Sequence, residues 1–241
     1  MTRIYVPLPL SGNTELTLPE AAARHVAQVL RMRAGEALTL FNGGGGEYDA
    51  VIETAERRVV SVRVGELRQI DRESTLAVTL AQCVSKGERM DYTIQKAVEL
   101  GVATIIPLLS ARSVVKLDGE RWEKKLEHWR GIAVSACEQS GRTRIPTVLA
   151  PQKLAHWLAA PDGSPRLVLA PTAAVSLTAV PAAAAVSLLV GPEGGLSDEE
   201  IAAALRDRCT AITLGPRVLR TETAGVAALA VLQALWGDLA Q

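Results

Sequence analysis

Short runs in which apolar and polar residues alternate occupy the first seventy or so positions. Arg3 to Val6, Ala37 to Phe41, Tyr48 to Glu53 and Val59 to Val64 are each rich in β-branched or aromatic residues and separated by turn-forming residues, a pattern that predicts half-buried strands. The run Asn42-Gly43-Gly44-Gly45-Gly46 falls between two of them and reads as a hairpin turn. One stretch departs from the alternation. From about Glu20 to Met32 the period lengthens to that of a helix, opened by Pro19, whose missing N–H costs nothing at a helix start. Val26, Val29 and Leu30 would then face the strands, leaving Arg24, Gln28 and Arg31 on the opposite face at i, i+4, i+7 spacing. That face suits a nucleic acid and equally suits plain solvent. The whole segment predicts a small β-barrel or sandwich.

Beyond the polar stretch Gln69 to Ser74 the pattern changes. Leu76 to Ala81, Ala103 to Leu108, Leu167 to Ala170, Val186 to Val190 and Ala211 to Leu214 are continuous apolar runs, as strands buried on both faces require. Helical periods lie at Asp91 to Leu100, Arg121 to Gln139, Gln152 to Ala159, Ser197 to Asp207 and Glu222 to Leu239. Gly101 and Gly141 stand where C-terminal caps belong, and Ser197 with Glu200 makes a capping box. Strands alternating with helices predict an α/β domain with a parallel sheet. The boundary falls near Arg72, giving domains at 1–72 and 73–241. The stretch Ala173 to Ala185, with no clear period, reads as a loop.

Composition fits this division. Hydrophobic residues make up 48% of the 241 positions but aromatics only 3%, so the core is built from Ala, Val, Leu and Ile. The 26 Lys and Arg balance the 26 Asp and Glu, so no global field draws the chain to nucleic acid or anionic membrane, and RNA binding needs a local patch. Cys83, Cys137 and Cys209 are widely spaced and contain no CxxC pair. The N-terminus lacks the apolar core of a signal peptide, and no apolar run reaches the roughly 18 residues a membrane span needs. A cytoplasmic protein is expected.

Familiar cofactor fingerprints are absent. Gly43 to Gly46 joins two strands rather than a strand and a helix, there is no GKS, GKT or GxSxG, and His25, His128 and His156 are too scattered for a metal site. Two glycine-bearing loops remain. Gly191-Pro192-Glu193-Gly194-Gly195-Leu196-Ser197 and Gly215-Pro216-Arg217-Val218-Leu219-Arg220-Thr221-Glu222-Thr223-Ala224 each follow a late strand and run into a helix. Both leave carboxyl ends of strands, where open α/β sheets bind ligands. Each is either a tight turn or half of a shared pocket.

These two loops, GPEGGLS and LGPRVLRTETA, closely resemble the signature loops of the 16S rRNA (uracil-N3) methyltransferase family, in the SPOUT class of knotted methyltransferases. RIY at Arg3 to Tyr5, RHVAQVLRM at Arg24 to Met32, KGERMDYTIQKAVELGV at Lys86 to Val102 and ACEQSGR at Ala136 to Arg142 extend the resemblance over essentially the whole chain. GPEGG alone is shared with other SPOUT proteins; its combination with RTETA and the Lys86 segment is specific. Ser140 and Ala224-Gly225 depart from the family pattern without altering a polar site group. The resemblance implies a PUA-like N-terminal RNA-binding barrel, a C-terminal trefoil-knotted domain, S-adenosylmethionine as methyl donor and a homodimer. The apolar character of Ala224 to Trp236 on most faces agrees with the last. The substrate it implies is uridine 1498 of the 16S rRNA decoding region, met in the 30S subunit.

Methylation at N3 requires a positioned methyl group and removal of the N3 proton. Orientation supplies about 7–11 kcal/mol, against a 10²- to 10⁴-fold gain from one general base, so positioning should dominate. With the resemblance, the backbone of Leu189, Gly191, Leu214, Gly215 and Leu219 is assigned to the cofactor, with Gly194 and Gly195 shaping the pocket and Pro192, Thr221 and Thr223 also at the cofactor. Arg3, Arg217 and Arg220 are candidate cations for charge on the uracil oxygens, and Glu193 and Glu222 are candidate proton acceptors. Glu222 opens a helix and answers its dipole equally well. Arg24, Arg31, Arg33, Lys86, Arg89, Arg142 and Arg144 are expected at the RNA, although Arg142, like Glu138, also suits a salt bridge or helix cap. Cys137, Trp122 and Trp129 share the apolar stripe of their helix and are expected in the core, and no catalytic thiol is needed at N3. His25 reads as a surface residue. The competing readings are a SPOUT enzyme acting on another RNA or position, a non-catalytic PUA-like assembly factor, and a small-molecule α/β enzyme.

Overall fold

A computed structural model describes residues 2–113, 115, 119–160 and 163–240. The chain divides into two compact units. One comprises Met1–Glu73 together with Cys137–Ile145, the other Ser74–Ala136 together with Pro146–Gln241.

The first unit is a five-stranded sheet of β1 (Arg3–Tyr5), β2 (Thr14–Thr17), β3 (Ala37–Phe41), β4 (Glu47–Ala55) and β5 (Val60–Arg68), paired in the order β1-β3-β4-β5-β2. β1 runs parallel to β3 and the other pairs are antiparallel. Alternate residues Leu38 and Leu40, Ala50 and Ile52, and Val60, Val62 and Val64 turn inward with Ile4 and Val6 to make one core. The edge strand β2, Thr-Glu-Leu-Thr, has a single apolar residue and gives no sequence signal.

The predicted helix over Glu20 to Met32 is shorter and of two kinds. α1 (Glu20–Arg24) passes into a wider π-helical turn, His25–Val29, in which the Leu30 amide bonds to the His25 carbonyl five residues back. Arg31 then takes a φ of +56° and lies outside the helix. The widened turn displaces the register expected for a 3.6-residue period. Val26 is buried as expected, but Val29 and Leu30 are 64% and 39% exposed. Arg24, Gln28 and Arg31 therefore do not form one helical stripe, and Gln28 donates to the Arg57 carbonyl.

The second unit carries β6 (Ala77–Cys83), α2 (Arg89–Glu99), β7 (Thr104–Leu109), α3 (Gly119–Ser140, whose last residues belong to the first unit), β8 (Thr147–Val148), β9 (Gln152–Lys153), α4 (Leu154–Ala159), β10 (Arg166–Leu169), β11 (Val175–Ser176), β12 (Ala185–Val190), α5 (Asp198–Arg206), β13 (Cys209–Thr213) and α6 (Thr221–Trp236). Its strands pair in the order β11-β13-β10-β12-β6-β7-β8, with β9 beside β7, and every pairing is parallel. The five apolar runs supply its central strands. Gly101 and Gly141 take φ of +78° and +85° just past α2 and α3, and Ser197 and Glu200 form the expected capping box. The stretch read as a loop, Ala173 to Ala185, holds β11 and a 3₁₀ turn, Leu177–Ala179, that buries Leu177. Both are too short to leave a period.

Trp129 and Cys137 are fully buried on α3, as the apolar stripe predicts. Burial pushes the Cys137 thiol up to about 12, so it stays protonated at neutral pH. Asp91 of α2 accepts from Trp129 Nε1 at 3.0 Å and from Lys125 Nζ at 3.3 Å, and pairs with His128 at 2.7 Å. That carboxylate fixes α3 against α2. Among the described residues no helix is long and apolar enough to cross a membrane, and no group of three or more His, Cys, Asp or Glu could hold a metal ion.

Candidate functional site

The two glycine-bearing loops meet around a cavity of about 500 Å³ in the second unit. The end of β12 contributes Val190, the turn after it Gly191, Pro192, Glu193, Gly195 and Leu196, and the entry to α6 Val218 to Glu222 and Ala224. Each loop has a local reason for its shape. Gly195 sits at a φ of +68° and its amide donates to the Pro192 carbonyl at 2.8 Å, closing a tight turn. A Cβ on Gly195 would meet no protein atom within 4 Å, so a side chain there would project into space left for a ligand. At Gly191, by contrast, a Cβ would stand 3.0 Å from the Leu196 amide nitrogen. Arg112 braces the turn through the Gly194 carbonyl, 2.8 Å from its Nη1. The loops are joined by the Thr221 hydroxyl, which donates to the Gly191 carbonyl at 2.6 Å.

Charge gathers at one side of the cavity. Glu193 Oε1 accepts from the Lys86 amide and from Arg89 Nη1, both at 2.8 Å, while Arg89 Nε lies 3.7 Å from Glu222. Burial pulls the Glu193 carboxyl upward, but its own amide, the Lys86 amide and the Arg89 guanidinium outweigh this and hold it below its ordinary value. Glu193 is thus an ionised anchor for Arg89. Glu222 Oε2 is buried and has no hydrogen-bond partner.

Of the residues expected at the site, Gly191, Pro192, Glu193, Gly195, Leu219, Arg220, Thr221 and Glu222 line this cavity. Leu214 and Arg217 line a smaller adjoining hollow of about 60 Å³ that shares Val218, Leu219 and Ala224. Leu189, expected at the cofactor through its backbone, is not among the residues lining either space. It is buried inside β12 among Ala81, Val168 and Leu196, because alternation along the strand turns its neighbour Val190 outward instead. Gly194 and Gly215 lie in the loops, and Thr223 in the first turn of α6, without lining the cavity.

Arg3 belongs to the first unit and is committed there, paired with the buried Glu47 and donating to the Arg142 carbonyl at 2.9 Å. Arg142 is also internal. It is 6% exposed and pairs with Glu73 at 2.5 Å, so the reading of it as an RNA contact gives way to the salt bridge. Glu138 accepts from the Tyr5 amide. Arg24, Arg31, Arg33 and Arg144 remain exposed. Arg89, expected at RNA, lines the cavity, and Lys86 serves it through its backbone. The sequence reading passed over Arg89 as a cavity residue, and with it Leu169, Pro171, Val190, Ile201 and Val218. Gln82, a polar residue near the end of an apolar strand, was passed over too, and reaches the site through Thr221 rather than by lining the cavity.

An RNA methyltransferase domain model matches residues 72–233, and an RNA methyltransferase PUA domain model matches residues 18–65. The ribosomal RNA small subunit methyltransferase E of Buchnera aphidicola from Schizaphis graminum is 34% identical over 98% of this chain and 97% of its own length. The chain belongs to the ribosomal RNA small subunit methyltransferase E family. The Mycobacterium tuberculosis member is 38% identical over 88% of this chain and 83% of its own. A structure of the Neisseria gonorrhoeae member bound to S-adenosyl methionine matches with a TM-score of 0.93 and 40% identity over 99% of both chains. A Legionella pneumophila methyltransferase solved with bound S-adenosylmethionine matches with a TM-score of 0.97 and 44% identity, again over 99% of both. The chain thus has an α/β fold with a parallel sheet and a PUA domain.

Proposed function

We propose that this chain is an S-adenosylmethionine-dependent methyltransferase that places one methyl group on N3 of a uracil in 16S rRNA, at uridine 1498. The observation that carries the reading is the cavity built jointly by the Gly191 and Arg220 loops, in a chain whose relatives hold S-adenosylmethionine. The residues suit that group. The volume lies within the range of small-molecule sites, Leu169, Val190, Leu196, Ile201 and Leu219 offer apolar walls to a heterocycle, and the side of Gly195 is left open. Gly191, Pro192, Gly195, Leu219 and Thr221 would hold the cofactor, with Leu214 beside them. Bound there, it supplies an electrophilic methyl on a sulfonium.

The chain's own residues then orient the base and manage its proton. Arg220 stands exposed at the cavity and, with Arg89, supplies positive charge for the uracil oxygens as N3 loses its proton. Glu193 has one oxygen occupied by two donors, so Glu222, whose contact with Arg89 is longer, is the better proton acceptor. The catalytic part lies within residues 73–241, apart from the Cys137–Ile145 segment, and is threaded as a trefoil knot; residues 1–72 curl into a PUA-like barrel that presents Arg24, Arg31 and Arg33 to RNA, with Arg144 of the Cys137–Ile145 segment. The protein acts in the cytoplasm as a homodimer through α6, whose Val226, Ala227, Ala230 and Val231 are only partly covered and whose Leu235 is 49% exposed. Zero net charge favours an assembled 30S particle over free RNA, since a folded ribonucleoprotein surface supplies the register that a weak general field does not.

Incubation with donor and either undermodified 30S particles or naked 16S rRNA, followed by nucleoside identification and site mapping, tests this. The expected product is 3-methyluridine at a single position, formed faster on the particle. A methyl on C5 or on ribose refutes the assignment, and equal rates on both substrates refute only the preference for the particle.

A further inference from the structure

Gln82 lies one residue from the end of β6, in register with Val190 of β12, and its side chain is fully buried. Its Nε2 donates to Thr221 Oγ1 at 3.0 Å and to the Cys83 carbonyl at 3.2 Å. The Thr221 hydroxyl stands 2.6 Å from the Gly191 carbonyl. The direction of this chain of bonds is forced. A carbonyl only accepts, so Thr221 uses its one hydrogen on Gly191 and must accept from Gln82. Exchanging the amide oxygen and nitrogen would set an acceptor against the Cys83 carbonyl and leave Thr221 without its donor, so the network fixes the amide orientation. Helix α6 comes close enough that a Cβ on Gly225 would stand 3.0 Å from Gln82 Oε1. That oxygen has no hydrogen-bond partner. A buried amide with half its capacity unused is costly in a central strand, and packing alone would be served better by leucine.

We propose that Gln82 is a positioning residue for the cofactor cavity: through Thr221 it sets the direction of the Gly191 peptide and so holds the two cavity loops in their binding geometry. The inference rests on the reading that this cavity takes S-adenosylmethionine. Three segments distant in sequence, the end of β6, the turn after β12 and the first residue of α6, are held by two consecutive hydrogen bonds.

Calorimetric titration of the full-length protein with S-adenosylhomocysteine reads the effect directly, without turnover. Gln82→Leu should bind about tenfold more weakly, the size expected from losing one buried hydrogen bond. Gln82→Glu separates positioning from packing. Burial raises the pKa of the introduced carboxyl, so at about pH 6 it is protonated and its O–H donates to Thr221 as the amide does. Near pH 9 the carboxylate only accepts and turns the Thr221 hydrogen away from Gly191. The affinity of this variant relative to wild type should therefore be close to one at the lower pH and fall about tenfold at the higher, while the ratio for Gln82→Leu stays flat. Combining Gln82→Leu with Thr221→Val should cost no more than Thr221→Val alone. Should Gln82→Leu fail to fold, the Gln82→Glu comparison decides. Wild-type protein that takes up no S-adenosylhomocysteine overturns the cofactor reading and this inference with it. Wild-type binding alongside an unchanged Gln82→Leu, or a pH-independent ratio for Gln82→Glu, overturns the role of Gln82 alone.

Discussion

Replacing Gly191 with alanine puts a methyl group where the turn after β12 has no room. The added Cβ would stand 3.0 Å from the Leu196 amide nitrogen, 3.2 Å from the Gly195 carbonyl carbon and 3.2 Å from Leu196 Cγ. Two of these neighbours are backbone atoms and cannot rotate away. The Gly191 carbonyl is also tethered to Thr221, which limits how far the turn can open. Overpacking of this kind typically costs about 1–3 kcal/mol, equivalent to roughly a 5- to 150-fold loss of cofactor affinity if it falls on the bound geometry. Expressed in folding instead, each kcal/mol lowers the thermal midpoint by about 2–4 °C in a chain of this size. Gly195→Ala is the informative partner. It meets no atom within 4 Å, but places alanine at a φ of +68°, at a conformational cost of about 1–2 kcal/mol. The first variant is therefore limited by space and the second by backbone angle. Gly195→Val adds a branched side chain at the same angle and into the cavity, and should abolish binding. Titration with S-adenosylhomocysteine, paired with thermal unfolding, measures both consequences. A Gly191→Ala protein with wild-type affinity and an unchanged midpoint would refute the steric account of the turn.

Arg142→Ala should destabilise the first unit by about 1.5–3 kcal/mol, because it removes the charge-assisted bonds to the half-buried Glu73 carboxylate and leaves it only the Thr143 and Arg144 amides; unfolding at wild-type denaturant concentration would show that the pair contributes nothing. Arg24→Ala combined with Arg31→Ala should leave stability intact and flatten the salt dependence of RNA affinity, by up to about 0.7 in slope for each lost contact to a single strand. An unaltered slope would return both to solvated surface. Glu193, held below its usual carboxylate range, stabilises the fold above its unfolded value of about 4.5 and loses that contribution as pH falls through the lower folded value. Glu193→Gln should accordingly lower the thermal midpoint near pH 7, where that contribution is complete, and approach wild type at acid pH, where it is lost, which flattens the acid limb; a wild-type midpoint at pH 7 with a wild-type acid limb would count against the Arg89 anchor.

The second unit was the more legible in the sequence because its signals are long. Five continuous apolar runs and helices with recognisable caps leave little choice of assignment, and Ser197 with Glu200 marks one helix start to the residue. The first unit was less so. β2 has one apolar residue in four, and the π-helical turn at His25–Val29 is a change of helical pitch that no apolar period announces. In the site, the loop residues were found by their glycines and by resemblance, but the side of β12 that faces the cavity was not. Strand alternation gives the period without the phase, so the apolar run alone does not tell that the side chain of Val190 lines the space while that of Leu189 packs in the core. Arg142 went astray for a different cause: an arginine after a helix looks alike whether it meets a phosphate or a carboxylate seventy positions earlier.

The return of Cys137–Ile145 to the first unit bears on how the molecule is made. An N-terminal domain ordinarily finishes folding while the rest of the chain is still being synthesised. Here Glu73 gains the donors Arg142, Thr143 and Arg144 only after some seventy further residues have been added, a delay of roughly 4–14 s at ordinary elongation rates. Until then the strands from Arg3 to Arg68 can pair, but the carboxylate at the end of the unit waits without its guanidinium. A fragment cut after Glu73 would stay permanently in that half-made condition. Anyone seeking the first unit in isolation should graft the Cys137–Ile145 segment onto it rather than truncate.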